Sequence, residues 1–229
     1  MILYPTFLLV ALILQQKLHI KNKENPAIGW KKFLFFNLIM LSAICLMTLF
    51  SPSVILLHAI ISVVGFIEIC RHSSKLATNQ KLWILALMPF IFGTFIYASL
   101  VLKQALIIPL VATAIFDGFS QLTGKMFGIK KIVPTISPNK TVAGFAGGLA
   151  FCWLFCVLYI QFFNTSSKPN VSLFFIPILA FAGDIFFSKL KRVMHIKDFA
   201  DSLPGQGGIL DRFDSYIFTA IGLLLLHQF

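Results

Sequence analysis

Residues 82–102 read LWILALMPFIFGTFIYASLVL, an apolar run that contains no charged side chain. After Lys103, residues 104–124 continue as QALIIPLVATAIFDGFSQLTG, in which Asp117 is the only charge. A helix needs about 20 apolar residues, at about 1.5 Å of rise each, to cross a bilayer. It also satisfies its own backbone hydrogen bonds in lipid. Both runs are therefore predicted to be transmembrane helices.

Similar runs recur along the chain, and the composition agrees with them. Of 229 residues, 58% are hydrophobic and 12% are charged, with a mean hydropathy of +0.90. Soluble domains carry about twice that charge. The remaining predicted spans are 2–15, 33–50, 53–70, 142–163, 171–188 and 216–229, the first and last being marginal in length. The predicted fold is all-α, a polytopic bundle of about eight spans, and the N-terminus is expected to be a retained helix and not a signal peptide.

The basic residues alternate from one connecting segment to the next. All of the 19 Lys and Arg residues except Lys103 and Lys168 fall in the segments 16–32, 71–81, 125–141 and 189–215. Because Lys and Arg favour the cytoplasmic face, these segments are predicted to be cytosolic. The chain is therefore expected to be a multi-pass protein of the cell (inner) membrane. The net charge of +11 then reflects contact with the bilayer, and no nucleic-acid partner is expected.

The acidic residues are concentrated in the second half of the chain. Asp117 and Asp184 lie inside predicted spans, where carboxylates are costly and usually functional. Each follows the predicted start of its helix by about 13 residues, or about 20 Å, so the two are expected to share one site facing the cytosol. The alternative is that each pairs separately with a lysine or caps a neighbouring helix. Residues 1–103 are thus interpreted as N-terminal membrane helices and 104–229 as the catalytic region.

The densest polar segment is 183–215, GDIFFSKLKRVMHIKDFADSLPGQGGILDRFDS. Its glycine-rich turn, 204–208, would let backbone amides approach phosphate oxygens. Asp211 and Asp214 follow at helical spacing and can share a face. Carboxylates beside a guanidinium and several ammonium groups suit a Mg²⁺ ion that bridges a polyphosphate.

This segment resembles the signature of the phosphatidate cytidylyltransferases, also called CDP-diacylglycerol synthases. The matching residues, in order and spacing, are Ser188, Lys191, Arg192, Lys197, Asp198, Pro204, Gly205, Gly207, Gly208, Asp211, Arg212 and Asp214. A second similar stretch contains Asp117, Gly124, Phe127, Gly128, Lys131, Ile136, Ser137, Pro138, Asn139, Lys140, Thr141, Gly144, Gly147 and Gly148. The resemblance covers residues 112–216. Gln206 stands where the family usually has His, and Phe187 where it usually has Glu.

The resemblance implies an enzyme of phospholipid biosynthesis that converts CTP and phosphatidate to CDP-diacylglycerol and pyrophosphate. The implied catalytic residues are Asp184, Lys191, Arg192, Lys197, Asp211, Arg212 and Asp214. The implied substrate-binding residues are Asp117, Ser137, Lys140, Ser188, Asp198, Gly205, Gln206, Gly207 and Gly208. Mg²⁺ is expected on Asp184 and Asp211, with Asp117 and Asp214 as supporting carboxylates. Expected partners are CTP, phosphatidate or a related lipid phosphate, the bilayer and, in addition, a second copy of the chain.

Two other functions stay open at this point. The same chemistry could serve another lipid phosphate or a lipid alcohol. A proton- or cation-coupled transporter would instead use Asp117 and Asp184 as an ion path, although the repeated halves typical of transporters are not evident. Among the other residues, Gly144 and Gly148 are interpreted as helix-packing positions, Glu68 as an interfacial residue, and His58 has no evident partner.

Overall fold

The computed structural model describes residues 3–22, 26–49, 52–73, 76–163, 171–202 and 207–227. Within these residues the chain forms eight α-helices, two short 3-10 helices and one β-hairpin. The helices are α1 (Leu3–Asn22), α2 (Pro26–Leu49), α3 (Ser53–Ser73), α4 (Thr78–Leu102), α5 (Ile107–Phe127), α6 (Val142–Phe163), α7 (Ile176–Val193) and α8 (Leu210–His227). The 3-10 helices are Lys103–Leu106 and Val171–Phe175.

Five helical segments of the described chain are long and apolar enough to cross a membrane. They are Gly29–Leu49, Ser53–Ser73, Thr78–Phe127, Val142–Phe163 and Ser172–Val193. The segment Leu3–Leu18 is apolar but shorter. The predicted all-α membrane architecture is therefore confirmed, whereas the number of eight spans stays a prediction.

The 50-residue segment Thr78–Phe127 contains two helices. Lys103 interrupts the helical backbone with φ 47° and ψ −128°, a conformation outside the helical region. A 3-10 helix follows, and α4 and α5 then both pack against α8. The division at Lys103 was predicted from its charge between two apolar runs, and the structure confirms it.

The last helix begins before its predicted apolar span and includes Asp211 and Asp214, as their helical spacing indicates. The predicted span started at residue 216, but α8 starts at Leu210. Hydropathy marks the polar first turn as a loop, although Asp and Ser side chains are favourable at a helix N-terminus. As a result, Asp211 and Asp214 lie on the first turns of a rigid helix.

A small antiparallel hairpin, which was not predicted, connects α5 to α6. Strand β1 (Lys131–Val133) pairs with β2 (Ser137–Thr141), and Lys131 lies opposite Thr141. Thr141 then caps α6, because its Oγ1 accepts a hydrogen bond from the Gly144 N–H at 3.1 Å. The hairpin thereby fixes the position of Lys140 just before the start of α6.

Helices α5 and α6 approach each other closely through small residues. A Cβ atom at Gly148 would lie 2.0 Å from Ser120 Oγ and 2.8 Å from the Phe116 carbonyl oxygen. A Cβ atom at Gly144 would lie 2.7 Å from the Ser120 carbonyl oxygen. These distances confirm the predicted packing role of the two glycines. Their spacing allows α5, which carries Asp117, to lie directly against α6.

We expect Gly148→Ala to destabilise the protein and Gly93→Ala to leave it unchanged or slightly stabilised. The first substitution forces α5 and α6 apart, which costs about 1–3 kcal/mol. Gly93 lies within α4 with open space around it, and alanine favours the helix there. Thermal unfolding of the detergent-solubilised variants measures the difference. Equal melting temperatures would contradict the close α5–α6 contact.

Candidate active site

One cleft gathers most of the residues predicted to form a site. It has a volume of about 620 Å³ and lies among α5, α7, the β-hairpin and the start of α8. The predicted site residues that line it are Asp117, Ser137, Lys140, Asp184, Lys191, Lys197, Asp198, Gly207, Asp211, Arg212 and Asp214. Asp117 and Asp184 each lie near the middle of their helix, and the expectation that they face one site is confirmed.

Asp184 forms the centre of the exposed part of the cleft. One of its oxygens, Oδ2, makes an ion pair with Lys140 Nζ, and Oδ1 accepts a hydrogen bond from Ser188 Oγ at 3.2 Å. The Lys140 Nζ atom also lies 5.0 Å from the centroid of the Phe181 ring. The Asp184 side chain is 33% exposed, so its carboxylate can be reached from the cleft. The alternative, that each aspartate pairs separately with a lysine, is thus correct in part. Asp184 does pair with a lysine, but the pair lies in the cleft that Asp117 also lines.

A serine connects the two more deeply placed carboxylates. Ser215 Oγ lies 3.3 Å from Asp117 Oδ1 and 3.4 Å from Asp214 Oδ1. The Ser215 backbone N–H also donates to Asp214 Oδ1 at 2.7 Å. A hydroxyl group has a single proton to donate, so it can serve only one carboxylate at a time. α5 and α8 therefore meet through a polar contact at the closed end of the cleft.

Asp211 organises the loop between α7 and α8. Its Oδ1 accepts a hydrogen bond from Lys191 Nζ at 2.7 Å, and its Oδ2 accepts from the N–H groups of Phe199 at 2.8 Å and Gly208 at 2.9 Å. The Asp211 side chain is only 1% exposed. Lys191 Nζ also lies 3.7 Å from Asp214 Oδ2, which supplies this buried ammonium with a second negative charge. Such a buried pair is stable only because further hydrogen bonds complete it.

Three predicted residues that the structure describes do not line the cleft: Ser188, Arg192 and Gly208. Arg192 donates hydrogen bonds to the carbonyl oxygens of Ile136 and Ile196, each at 3.0 Å, and so fastens the hairpin turn to the end of α7. Ser188 acts on Asp184, as given above. Gly208 donates its N–H to Asp211. The predicted contacts of these residues with substrate stay predictions. Gly205 and Gln206 lie outside the described residues.

The sequence interpretation missed the contribution of α1 and α2. Aromatic side chains from these helices, together with a hydrogen-bonded polar pair, extend the cleft away from the carboxylates. They are Tyr4, Phe7, Phe33, Phe36 and Asn37. The Tyr4 hydroxyl donates a hydrogen bond to Asn37 Oδ1 at 3.0 Å, so these two polar side chains in the aromatic part of the lining satisfy each other. Hydropathy alone identified the helices but gave no signal for which face borders the cleft.

The donor set suits Mg²⁺ only if substrate supplies part of its coordination shell. Among the described residues, no group of three or more His, Cys, Asp or Glu side chains is arranged to hold a metal ion. Mg²⁺ commonly binds one or two carboxylates and takes its other ligands from phosphates and water. The Asp184 carboxylate is partly exposed to the cleft. A carboxylate can accept about four hydrogen bonds, and Asp211 accepts three, so one acceptor position on Asp211 is left. Six carboxylates and six Lys or Arg side chains line the cleft, so it carries no excess positive charge for a polyphosphate.

Comparison with known proteins identifies the family of the chain. A family model described as the cytidylyltransferase family matches residues 6–229. The phosphatidate cytidylyltransferase of Rickettsia prowazekii is 32% identical over 197 residues, which cover 80% of this chain and 83% of that protein. Those of Bacillus subtilis and Thermotoga maritima are 41% identical over 107 residues and 38% identical over 133 residues.

The matches to the last two relatives are partial. They cover 45% and 55% of this chain, and 39% and 49% of the relatives' own length. The chain thus spans less than half the length of these two proteins. The family match, in contrast, includes nearly every described residue. The chain therefore belongs to the cytidylyltransferase family, and the relatives to which it is similar are phosphatidate cytidylyltransferases.

Proposed function

We propose that this chain is a phosphatidate cytidylyltransferase that makes CDP-diacylglycerol and pyrophosphate from CTP and phosphatidate for phospholipid biosynthesis. The observation that carries the proposal is a single cleft lined both by charged and by aromatic side chains. The charged lining offers Lys140, Lys191 and Arg212 to phosphate groups. The aromatic lining from α1 and α2 offers apolar surface to an acyl chain. A lipid phosphate has both chemical characters in one molecule.

In the proposed reaction, a phosphate oxygen of phosphatidate attacks the α-phosphorus of CTP. A new P–O bond forms, the bond from the α-phosphorus to the bridging oxygen of the β-phosphate breaks, and pyrophosphate leaves with that electron pair. The attacking phosphate monoester is largely ionised at neutral pH, so no general base is required. Two anions must come together, and catalysis therefore depends on charge neutralisation and alignment.

The cations of the cleft are proposed to supply part of that neutralisation. Lys191 is held in place by Asp211 and Asp214, and it points its ammonium group toward the buried end of the cleft. In the described chain, the ion pair of Lys140 with Asp184 is more exposed than those of Lys191, and we propose that Lys140 moves from it to a phosphate. In this proposal Lys197 and Arg212 complete the phosphate contacts, and Asp198 and Gly207 line the path of the nucleotide.

Mg²⁺ is proposed to bind Asp184 and Asp211, with Asp117 and Asp214 as supporting carboxylates. When bound, the ion supplies positive charge that neutralises the polyphosphate. Transfer of Lys140 to a phosphate would free Asp184 Oδ2 for this role, because that oxygen is the one that Lys140 occupies. Substrate and metal binding are thus coupled through one ion pair of the protein.

The proposal includes a cell (inner) membrane location with the cleft open to the cytosol and eight spanning helices. One observation supports the orientation. The segments 125–141 and 189–215, which contain the hairpin and the α7–α8 loop, carry four and five of the 19 Lys and Arg residues. The apolar surface of α4 and α6 faces outward and suits contact with lipid or, in a homodimer, with a second copy.

We expect purified protein to form CDP-lipid and pyrophosphate from labelled CTP, phosphatidate and Mg²⁺. Removal of Mg²⁺ by a chelator should abolish the product, and its return should restore it. Asp184→Asn should lower kcat by about a hundredfold or more, since it removes a carboxylate from the charge-neutralising site. Asp211→Asn should also abolish the product. Thin-layer separation of labelled lipid measures both.

The acceptor is tested in the same assay with other lipid phosphates and with a lipid alcohol. Well-folded protein that makes no cytidylylated lipid with any of these acceptors would contradict the proposal. Product formation with a different lipid phosphate only would retain the chemistry and change the substrate.

Two lysines near the hairpin provide a matched comparison. Lys140→Gln removes a cation that lines the cleft, and we expect kcat/KM for CTP or phosphatidate to fall by about ten- to a hundredfold, the value of a hydrogen bond to a charged group. Lys130→Gln removes an equal charge from an exposed side chain just before β1 and should leave the kinetics unchanged. Equal effects of the two substitutions would exclude a specific role for Lys140.

A further inference from the structure

We propose that Glu68 and His72 on α3 are positioning residues for the loop between α7 and α8. They bind its two limbs, the first limb at Phe199 and the second at the start of α8. The loop carries the cleft residues Asp198 and Gly207 and leads into Asp211. The kinetic part of this inference rests on the proposed function, because the loop belongs to the same site. Its structural part concerns only hydrogen bonds and contacts of the described chain.

Glu68 binds the N-terminus of α8 from another helix. Its Oε1 accepts the Ile209 N–H at 2.9 Å, and its Oε2 accepts the Leu210 N–H at 3.0 Å. The first N–H groups of a helix have no partner within that helix, and a side chain beside the helix in sequence usually caps them. Here the cap comes from 141 residues away and carries a negative charge toward the positive end of the helix dipole. Glu68 is only 2% exposed, so this contact is shielded from water.

The cap explains one glycine of the signature turn. A Cβ atom at Gly208 would lie 2.5 Å from Glu68 Oε2 and 2.7 Å from Oε1. Any larger residue at this position would therefore displace the carboxylate from α8. Gly207, in turn, has φ +86°, which other residues rarely adopt. The two glycines thus meet different requirements, one of space and one of backbone conformation.

His72 holds the other limb of the loop. Its Nε2–H donates a hydrogen bond to the Phe199 carbonyl oxygen, with 2.9 Å between the nitrogen and the oxygen. The Phe199 N–H donates to Asp211 Oδ2, which also receives the Gly208 N–H. Glu68 and His72 lie one turn apart on α3 and therefore bind the loop at two points, Phe199 and the start of α8. Asp211 joins these two parts of the loop, because it accepts hydrogen bonds from Phe199 and from Gly208.

Glu68 acts through the loop and does not itself contact substrate in this scheme. Both of its oxygens are occupied by backbone donors, and it is not among the residues that line the cleft. Its removal would leave two buried N–H groups without an acceptor at the start of α8. The expected consequence is a loosened helix start and a displaced Asp211.

Hydrogen exchange of peptides covering 207–214 tests the cap directly. Glu68→Gln leaves one acceptor oxygen and places an NH₂ group against the second N–H, so exchange at Ile209 and Leu210 should accelerate about tenfold or more. Exchange in α5 and α6 should not change. Arg71→Gln is the control, because it alters the charge of an exposed side chain on the same turn of α3. Unchanged exchange at 209 and 210 in folded Glu68→Gln protein would overturn the proposal.

The steric contact gives an independent test, useful also where one variant folds poorly. Gly208→Ala alone should accelerate the same exchange, since it displaces Glu68. In protein that already contains Glu68→Ala, adding Gly208→Ala should have a much smaller effect, because the collision is absent. Additive effects of the two substitutions would contradict the contact. His72→Phe should accelerate exchange of the Phe199 amide, and no acceleration there would remove His72 from the proposal.

Kinetics separate a positioning role from a general loss of stability. Glu68→Gln should reduce kcat by about tenfold or more through the displaced Asp211, with little change in KM for CTP. A fall in melting temperature with unchanged kcat would mean a purely structural role and contradict the proposal. If the exchange results appear in a protein that forms no CDP-lipid, the proposed function fails and the hydrogen-bonded cap stands.

Discussion

The buried pair of Lys191 and Asp211 is the interaction on which the rest of the site depends. A charged group inside an apolar bundle is costly unless it is paired and hydrogen-bonded. Here the ammonium group receives a carboxylate at 2.7 Å, and the other oxygen of that carboxylate receives two backbone N–H groups. The pair joins α7 to α8 and fixes the loop between them. The buried carboxylate of Asp214 lies 3.7 Å from the same ammonium group and so belongs to the same charged cluster.

The elements that follow from local composition could be predicted from the sequence, and those that depend on tertiary contacts could not. Uncharged apolar runs identified the helices, and Lys103 correctly divided α4 from α5. Hydropathy alone marked the last span from residue 216, because the first turn of α8 is polar, whereas the helical spacing of Asp211 and Asp214 correctly indicated the earlier start of the helix. The hairpin was missed because β2 reads SPNKT, which has no alternation of apolar and polar residues.

The site shows the same division. The spacing of the signature segment indicated which residues belong together, and most of them line one cleft. It gave no account of what holds them there. Arg192, grouped with the phosphate-binding residues by resemblance, binds two carbonyl oxygens, and Glu68, interpreted as interfacial, caps α8. His58 appeared to lack a partner, yet its Nε2 lies 3.1 Å from the Tyr216 hydroxyl. Apart from Ile196, which follows Arg192 by four residues, these partners are distant in the chain, and no local pattern encodes them.

The balance of charge in the cleft has a consequence for how two anions can bind together. With equal numbers of carboxylates and cations along its walls, the cleft is no general trap for negative charge. An anion that binds Lys140 takes this cation from Asp184, and the carboxylate then needs a new positive partner. The Lys140–Asp184 pair is the most exposed of the ion pairs in the described cleft and can make this exchange with the least disturbance. In the proposed reaction, a nucleoside triphosphate that arrives with Mg²⁺ would bring this positive partner for Asp184, whereas the same anion alone would not.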